Sequence, residues 1–205
     1  MSFNCEQLKY AINLPEFDPI PVRLPMVPSD RALAPPPADH RLGAVLALFY
    51  PYNELLNVIL LKRPTTMRNH PGQVAFPGGR QDEGETFEQT AMRETMEEIG
   101  VTADKYSIVG QIDPLYIPPS RFYVHCFVGW LPERPMYTPN PAEVETILEI
   151  PHTHFLDEAN RDKSEQDFGF GVITVPYFTF NEHKIWGATS VMLYELAHRI
   201  EQVIK

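Results

Sequence analysis

Three glutamates, Glu94, Glu97 and Glu98, sit at positions i, i+3 and i+4 near the middle of the chain. In a helix these positions share one face, so the carboxylates present hard oxygen donors close together. That donor set suits magnesium or manganese with coordination positions left for water and phosphate. Seven carboxylates lie between Asp82 and Glu98, with Arg93 the single basic residue among them, just after the turn Pro77-Gly78-Gly79. Like charges at this density oppose folding unless water screens them or a cation sits among them. An isolated Glu-x-x-Glu-Glu is also what an ordinary solvated helix face looks like. Arg93 follows Glu85 by eight residues, which lets the two pair across the helix start, either in support of a site or as a surface ion pair worth little.

The elements that must position these groups are readable from periodicity. Thr86 and Gln89 form a capping box and Gly100 is a natural stop, so a helix is expected over 87–99. Met92, Met96 and Ile99 define its buried stripe, with the three glutamates on a different face. Upstream, LGAVLALFY (42–50) and LNVILLKR (56–63) flank the turn-like PYNE and predict a β-hairpin, followed by a polar segment and a short strand ending at Phe76. Segments 105–112, 122–131, 142–150 and 171–180 read as strands. A last helix is expected over 189–204, with Val191, Leu193, Leu196, Ile200 and Val203 on its apolar side. Residues 1–41 hold eight prolines. Beyond a short helix near the start, this stretch is therefore expected to be an extended, irregular arm lying over a single domain at 42–205.

The chain's 205 residues are 43% hydrophobic, enough for one sizeable core. A formal net charge of −10 without any basic run argues against a nucleic-acid partner held by phosphate contacts. Cys5 and Cys126 are far apart and lack metal-ligand spacing, which suggests neither a disulfide framework nor zinc. The first residues lack a basic start followed by an apolar core, no apolar run reaches the length of a membrane span, and the end lacks a Ser-Lys-Leu address. A cytoplasmic setting without a membrane partner is expected.

Taken together, Gly79, Glu85, Arg93, Glu94, Thr95, Glu97, Glu98, Gly100 and Val101 fall at the spacing of the Nudix signature. That signature is a glycine, five residues, a glutamate, seven residues, then Arg-Glu-U-x-Glu-Glu-x-Gly-U with U aliphatic. Thr95 is the one departure, and it keeps a methyl branch. The chain thus resembles the Nudix hydrolases. The resemblance implies hydrolysis of a nucleoside diphosphate linked to another group, assisted by Mg²⁺ or Mn²⁺. It implies that Glu94, Glu97 and Glu98 hold the metal with the Gly79 carbonyl, while Glu85 and Arg93 support the helix. Glu94 is the candidate base, with Glu143 or Glu145 as alternatives. The expected fold is an α/β/α sandwich with a mixed β-sheet, the signature helix on one face and the C-terminal helix on the other.

Just upstream, residues 59–82 are similar to the motif of the coenzyme A pyrophosphatase branch: Arg63, Arg68, Gly72, Phe76, Pro77, Gly78, Gly79 and Asp82 fall in register, while Leu61 and Pro64 replace a threonine and a serine. This implies cleavage of coenzyme A or acyl-CoA to 3′,5′-ADP and 4′-phosphopantetheine or its acyl form. Arg63 and Arg68 would meet phosphate oxygens in bidentate fashion, or else pair with the acidic helix. His70 in the same loop could touch substrate, and Trp186, before the last helix, reads as a packing residue. Two alternatives remain: the same chemistry on ADP-ribose, NADH or another nucleoside diphosphate derivative, and a non-catalytic nucleotide-sensing module. The proline-rich arm could cover the active site or serve a homodimer interface, and no residue pattern chooses between them.

Overall fold

The aliphatic run that begins at Leu42 forms the strand around which the molecule is organised. In the computed structural model, which describes residues 3–29, 33, 35–167, 169 and 171–204, the chain opens with helices α1 (Cys5–Ile12) and α2 (Pro19–Arg23). Strands β1 (Arg41–Tyr52), β2 (Leu55–Lys62), β3 (Val74–Ala75) and β4 (Gly78–Arg80) follow, then helix α3 (Phe87–Ile99). Next come β5 (Ser107–Ile117), β6 (Phe122–Trp130), β7 (Thr146–Pro151), β8 (Arg161–Asp167), β9 (Val172–Phe180), β10 (His183–Trp186) and helix α4 (Ala188–Ile204).

β1 and β2 pair antiparallel only near their turn, Phe49–Tyr52 against Leu55–Val58. Further along they diverge: Gly43–Val45 of β1 pair with β4, and Leu61 and Lys62 of β2 pair with β3. The segment 74–80 is thus wedged into the opening of the hairpin. On its other edge β1 runs parallel to β6, which pairs antiparallel with β5, and β7 closes the far side of β2. The main sheet is therefore mixed, and β8, β9 and β10 form a separate antiparallel sheet.

Alternation along β1 assigns its two faces. Ala44, Leu46, Leu48 and Tyr50 pack in one core with Ala91 and Ile99 of α3. Ala47 and Phe49 face the other core, with Leu8 of α1 and Leu193 and Leu196 of α4. The expected α/β/α sandwich is present, with the signature helix and the C-terminal helix on opposite faces.

Several expectations need correction. Met96 is 57% exposed, and the buried side of α3 is instead Thr90, Ala91, Thr95, Glu98 and Ile99. These mostly small side chains let the helix approach the sheet closely, which turns the larger methionine outward. Glu98 consequently leaves the polar face assigned to it. β7 begins at Thr146 because residues 141–143 form a turn in which Ala142 N–H donates to Asn140 Oδ1 at 3.1 Å and Val144 N–H to the Asn140 carbonyl at 2.8 Å. β8, with the sequence RDKSEQD, is a strand that apolar periodicity does not mark. Helical structure also extends beyond α1 into α2, whose first turn accepts Pro19 because the missing N–H there has no intrahelical partner.

The N-terminal segment shares the core of α4: Leu8, Ala11, Ile12 and Met26 are buried there. A buried charge cluster fastens it. Glu195, fully buried on α4, accepts from Arg23 Nε at 2.5 Å and Arg199 Nε at 2.7 Å, while the two guanidinium groups also donate to the carbonyls of Asp113 (2.6 Å) and Ile12 (3.0 Å). Removing the carboxylate would strand two buried cations. Glu195→Gln is expected to lower stability by about 3 kcal/mol or more, read as a lower urea midpoint at unchanged slope. A midpoint equal to that of the parent protein would show that the cluster does not anchor the segment.

Candidate active site

α3 starts and stops as its sequence requires. Thr86 Oγ1 accepts from Gln89 N–H, Gln89 Oε1 accepts from Thr86 N–H, and Gly100 ends the helix in the left-handed region at φ 74°. Within this frame Arg93 holds Glu85 through two bonds, Nε to Oε1 at 2.7 Å and Nη2 to Oε2 at 3.1 Å. Its Nη1 donates to Glu94 Oε1 at 2.9 Å and Glu97 Oε2 at 3.2 Å, and Nη2 also donates to the Arg80 carbonyl. Glu85 further accepts from Thr90 Oγ1 at 2.8 Å. Hydrogen bonds from Arg93 and then Thr90 hold the Glu85 carboxyl down at about 2. The departure at Thr95 is accommodated, since its buried hydroxyl donates to the Ala91 carbonyl at 2.7 Å.

Glu94 and Glu98 behave in the opposite way. Glu98 is 1% exposed and accepts from Gly78 N–H at 2.9 Å and Arg63 Nη1 at 3.2 Å. Burial pushes its carboxyl from 4.5 to about 7, against the pull of Gly78 and Arg63 and with added repulsion from Glu94 and Glu143. Glu94 is also raised, first by burial, with Glu97 and Glu143 adding to the shift against the opposing pull of Arg93. Glu94, Glu98 and Glu143 line one cavity of about 630 Å³. Glu143 reaches it on the turn after Asn140, whose N–H donates to the Glu98 carbonyl at 2.9 Å. Glu145, one of the alternative bases, lies elsewhere and is paired with Lys62 at 2.5 Å.

Of the other residues that the signature and motif single out, Gly79, Arg63, Phe76 and His70 line this cavity, whereas Arg68, Gly72 and Glu97 are not among its walls. Glu97 is half exposed and turned to Arg93. Arg63 pairs with Glu98, yet its Nε is buried with no hydrogen-bond partner among the described residues. Sequence reasoning missed Arg80, which lines the cavity at a variable position inside the motif. It also missed the opposite wall, where Ile117 and Phe122 arrive through the pairing of β5 and β6, Trp186 at the end of β10, and Thr189 and Met192 on α4. Trp186, expected only to pack, faces the same space. No local spacing signals these residues, because the sheet brings them together.

Among the described residues no three His, Cys, Asp or Glu side chains already enclose a point that could cage a metal ion. The donor chemistry nevertheless fits a hard divalent cation. A Cβ on Gly79 would fall 2.3 Å from Glu94 Oε1, so this glycine keeps the main chain and the carboxylate side by side. The Glu98 shift has a sign that can be measured. Because its folded value lies above the unfolded one, the folded state binds the extra proton, and its contribution to stability falls as pH rises from about 4.5 to about 7. In chelator, the stability difference between the parent and Glu98→Gln is expected to change across that window and to level off above it, as followed by urea midpoints. A constant difference from pH 4 to 8 would mean that Glu98 titrates normally.

Comparison with known proteins agrees with this architecture. The model of the NUDIX domain matches residues 40–168. The Nudix hydrolase NudL of Photorhabdus laumondii is 32% identical over 181 residues, covering 82% of this chain and 92% of that protein. The peroxisomal coenzyme A diphosphatase ndx-8 of Caenorhabditis elegans is 32% identical over 159 residues, covering 76% of this chain and 66% of that protein. Nudix hydrolase 22, chloroplastic, of Arabidopsis thaliana is 34% identical over 169 residues, and the match spans only 56% of its length. Among solved structures, a MutT/nudix family protein from Enterococcus faecalis shares the fold at a TM-score of 0.55 and 14% identity, covering 98% of this chain and 76% of that one. With a domain match over most of the chain and relatives of this identity and coverage, the chain belongs to the Nudix hydrolase family.

Proposed function

We propose that the protein is a divalent-cation-dependent hydrolase that cleaves the pyrophosphate of coenzyme A or its acyl thioesters, releasing 3′,5′-ADP and 4′-phosphopantetheine or its acyl form. The observation that carries this reading is the two-sided cavity. Glu94, Glu98 and Glu143 lie on one wall, and Ile117, Phe122, Trp186 and Met192 on another. A pyrophosphate joined to a long, weakly polar arm needs both kinds of wall. The motif at residues 59–82 and the likeness to the C. elegans coenzyme A diphosphatase support the same substrate class.

Glu94, Glu97 and Glu98, with the Gly79 carbonyl, would hold Mg²⁺ or Mn²⁺, which supplies charge neutralisation, polarisation of phosphorus and a more acidic water. The chain's own groups do the rest. Arg93 holds Glu85 out of the site and sets the direction of Glu94. The free Nε of Arg63 and the side chain of Arg80 supply donors for phosphate oxygens. Water adds to one phosphorus, the P–O–P bridge breaks, and the leaving phosphate departs. Glu94 accepts the water's proton, with Glu143 on the same cavity as the alternative acceptor. Phe76 and the apolar wall limit the entry of other water.

Mass spectrometry of products after incubation with coenzyme A, acetyl-CoA, ADP-ribose and NADH, each with Mg²⁺, Mn²⁺ or chelator, tests the reading. Metal-dependent 3′,5′-ADP is expected from the coenzyme A compounds, and Glu97→Gln and Glu98→Gln are each expected to lower kcat on the order of 100-fold with the fold intact. Cleavage of ADP-ribose or NADH alone would remove coenzyme A as the substrate. Binding of all four without cleavage would identify a nucleotide sensor.

A further inference from the structure

The cavity has a positive edge as well as an acidic wall, and strand register shows how it arises. On β1, Arg41, Gly43 and Val45 share one face by alternation. Across the parallel pairing Arg41 lies opposite Phe122 and Gly43 opposite Val124, while on the antiparallel side Gly43 lies opposite Arg80 and Val45 opposite Gly78. Val45, Gly78, Arg80, Phe122 and Val124 all line the cavity. Arg41 therefore stands at its edge, with Cζ 5.8 Å from the centre of the Phe122 ring. Arg41 and Arg80 are diagonal neighbours across Gly43, about 7–8 Å apart, a span that long side chains close. No side chain comes between them, since a Cβ on Gly43 would lie 2.7 Å from the Gly79 carbonyl oxygen and 3.2 Å from the Phe122 ring.

The two arginines also share the lack of a partner. Carboxylates outnumber cations in this chain, and the nearby Arg63, Arg93 and Arg121 are each paired with one. Among the described residues Arg41 and Arg80 have no carboxylate partner, and their guanidinium groups donate to no acceptor. Both are exposed. Two like charges held this close repel unless an anion lies between them.

We infer that Arg41 and Arg80 together bind a phosphate monoester of the substrate, separate from the pyrophosphate that is cleaved. The inference rests on the reading that a pyrophosphate ester occupies the cavity. Arg80 directly follows Gly79, beside which Glu94 lies, so the pair begins one residue away from the acidic wall. A dianion is repelled from Glu94, Glu98 and Glu143 and attracted to two guanidinium forks, whose planar donors match phosphate oxygens. The Phe122 ring under Arg41 limits the directions that guanidinium can take. This edge selects, among pyrophosphate esters, those that carry an additional phosphate, as coenzyme A does at its 3′ position.

Calorimetric titration with 3′,5′-ADP and with 5′-AMP reads the site without requiring turnover. The parent protein is expected to prefer 3′,5′-ADP. Arg41→Gln and Arg80→Gln are each expected to reduce that preference about tenfold, the loss of a hydrogen bond between charged groups, and the double variant to abolish it. Arg41→Lys, which keeps the charge without the fork, is expected to restore part of it. Lys163→Gln, which removes a charge that does not line the cavity, is expected to leave the preference as it is. Equal affinities in the parent, a ratio that neither arginine variant changes, or an equal loss with Lys163→Gln would overturn the inference. An arginine-dependent preference in a protein that leaves coenzyme A intact would keep the phosphate site and overturn the hydrolase reading. Cleavage of coenzyme A and its 3′-dephospho form at the same kcat/KM, in the parent and in Arg41→Gln alike, would do the reverse.

Discussion

Glu98 carries a carboxylate into the interior, where charge is tolerated only with partners. One partner, the Gly78 N–H at 2.9 Å, comes from the segment wedged into the hairpin, and the other, Arg63, lies just past the end of β2. The turn at Asn140 closes the third side through its bond to the Glu98 carbonyl. Helix, wedge and turn are thereby fixed to one another around a single buried acid. The cavity forms at their junction, so the geometry of the site and the cost of burying Glu98 are one problem with one solution.

The acidic stretch divides into groups with opposite physics. Glu85 is kept ionised by a bidentate arginine, whereas Glu94 and Glu98 are pushed toward the protonated form by burial first and then by neighbouring carboxylates, Glu143 among them in both cases. Arg93 neutralises the entrance of the helix and leaves the cavity side short of positive charge. A hard dication would answer that shortage better than another arginine, since it accepts several oxygens at once and still leaves positions for phosphate. The two methionines near these acids play no comparable part, and Met96 faces solvent.

The opposite wall depends on a different charge cluster. Glu195 between Arg23 and Arg199 fastens the N-terminal segment to α4 and holds that helix against the sheet. The first turn of α4 then opens on the cavity that α3 lines from the other face. Apolar packing in two cores sets the distance between helices, while these buried ion pairs settle which residues face one another.

The helix over 87–99, its capping box and its glycine stop were legible because capping and periodicity are local properties of the chain. The pairing of Glu85 with Arg93 was legible for the same reason, being set by eight residues of helix entry. Local periodicity also misled: it buried Met96 and exposed Glu98, because which side of a helix is inside depends on how closely the sheet allows it to approach. β8 escaped notice since its polar residues form a strand only through pairing with β9. Arg80, Glu143, Trp186 and Thr189 meet in one cavity although up to 109 positions separate them. The sequence by itself determined the signature helix, its caps and the pairing of Glu85 with Arg93. Tertiary structure alone decided the cavity's opposite wall, to which β5, β6, β10 and α4 contribute, because convergence of distant residues is a property of strand pairing and packing, not of spacing along the chain.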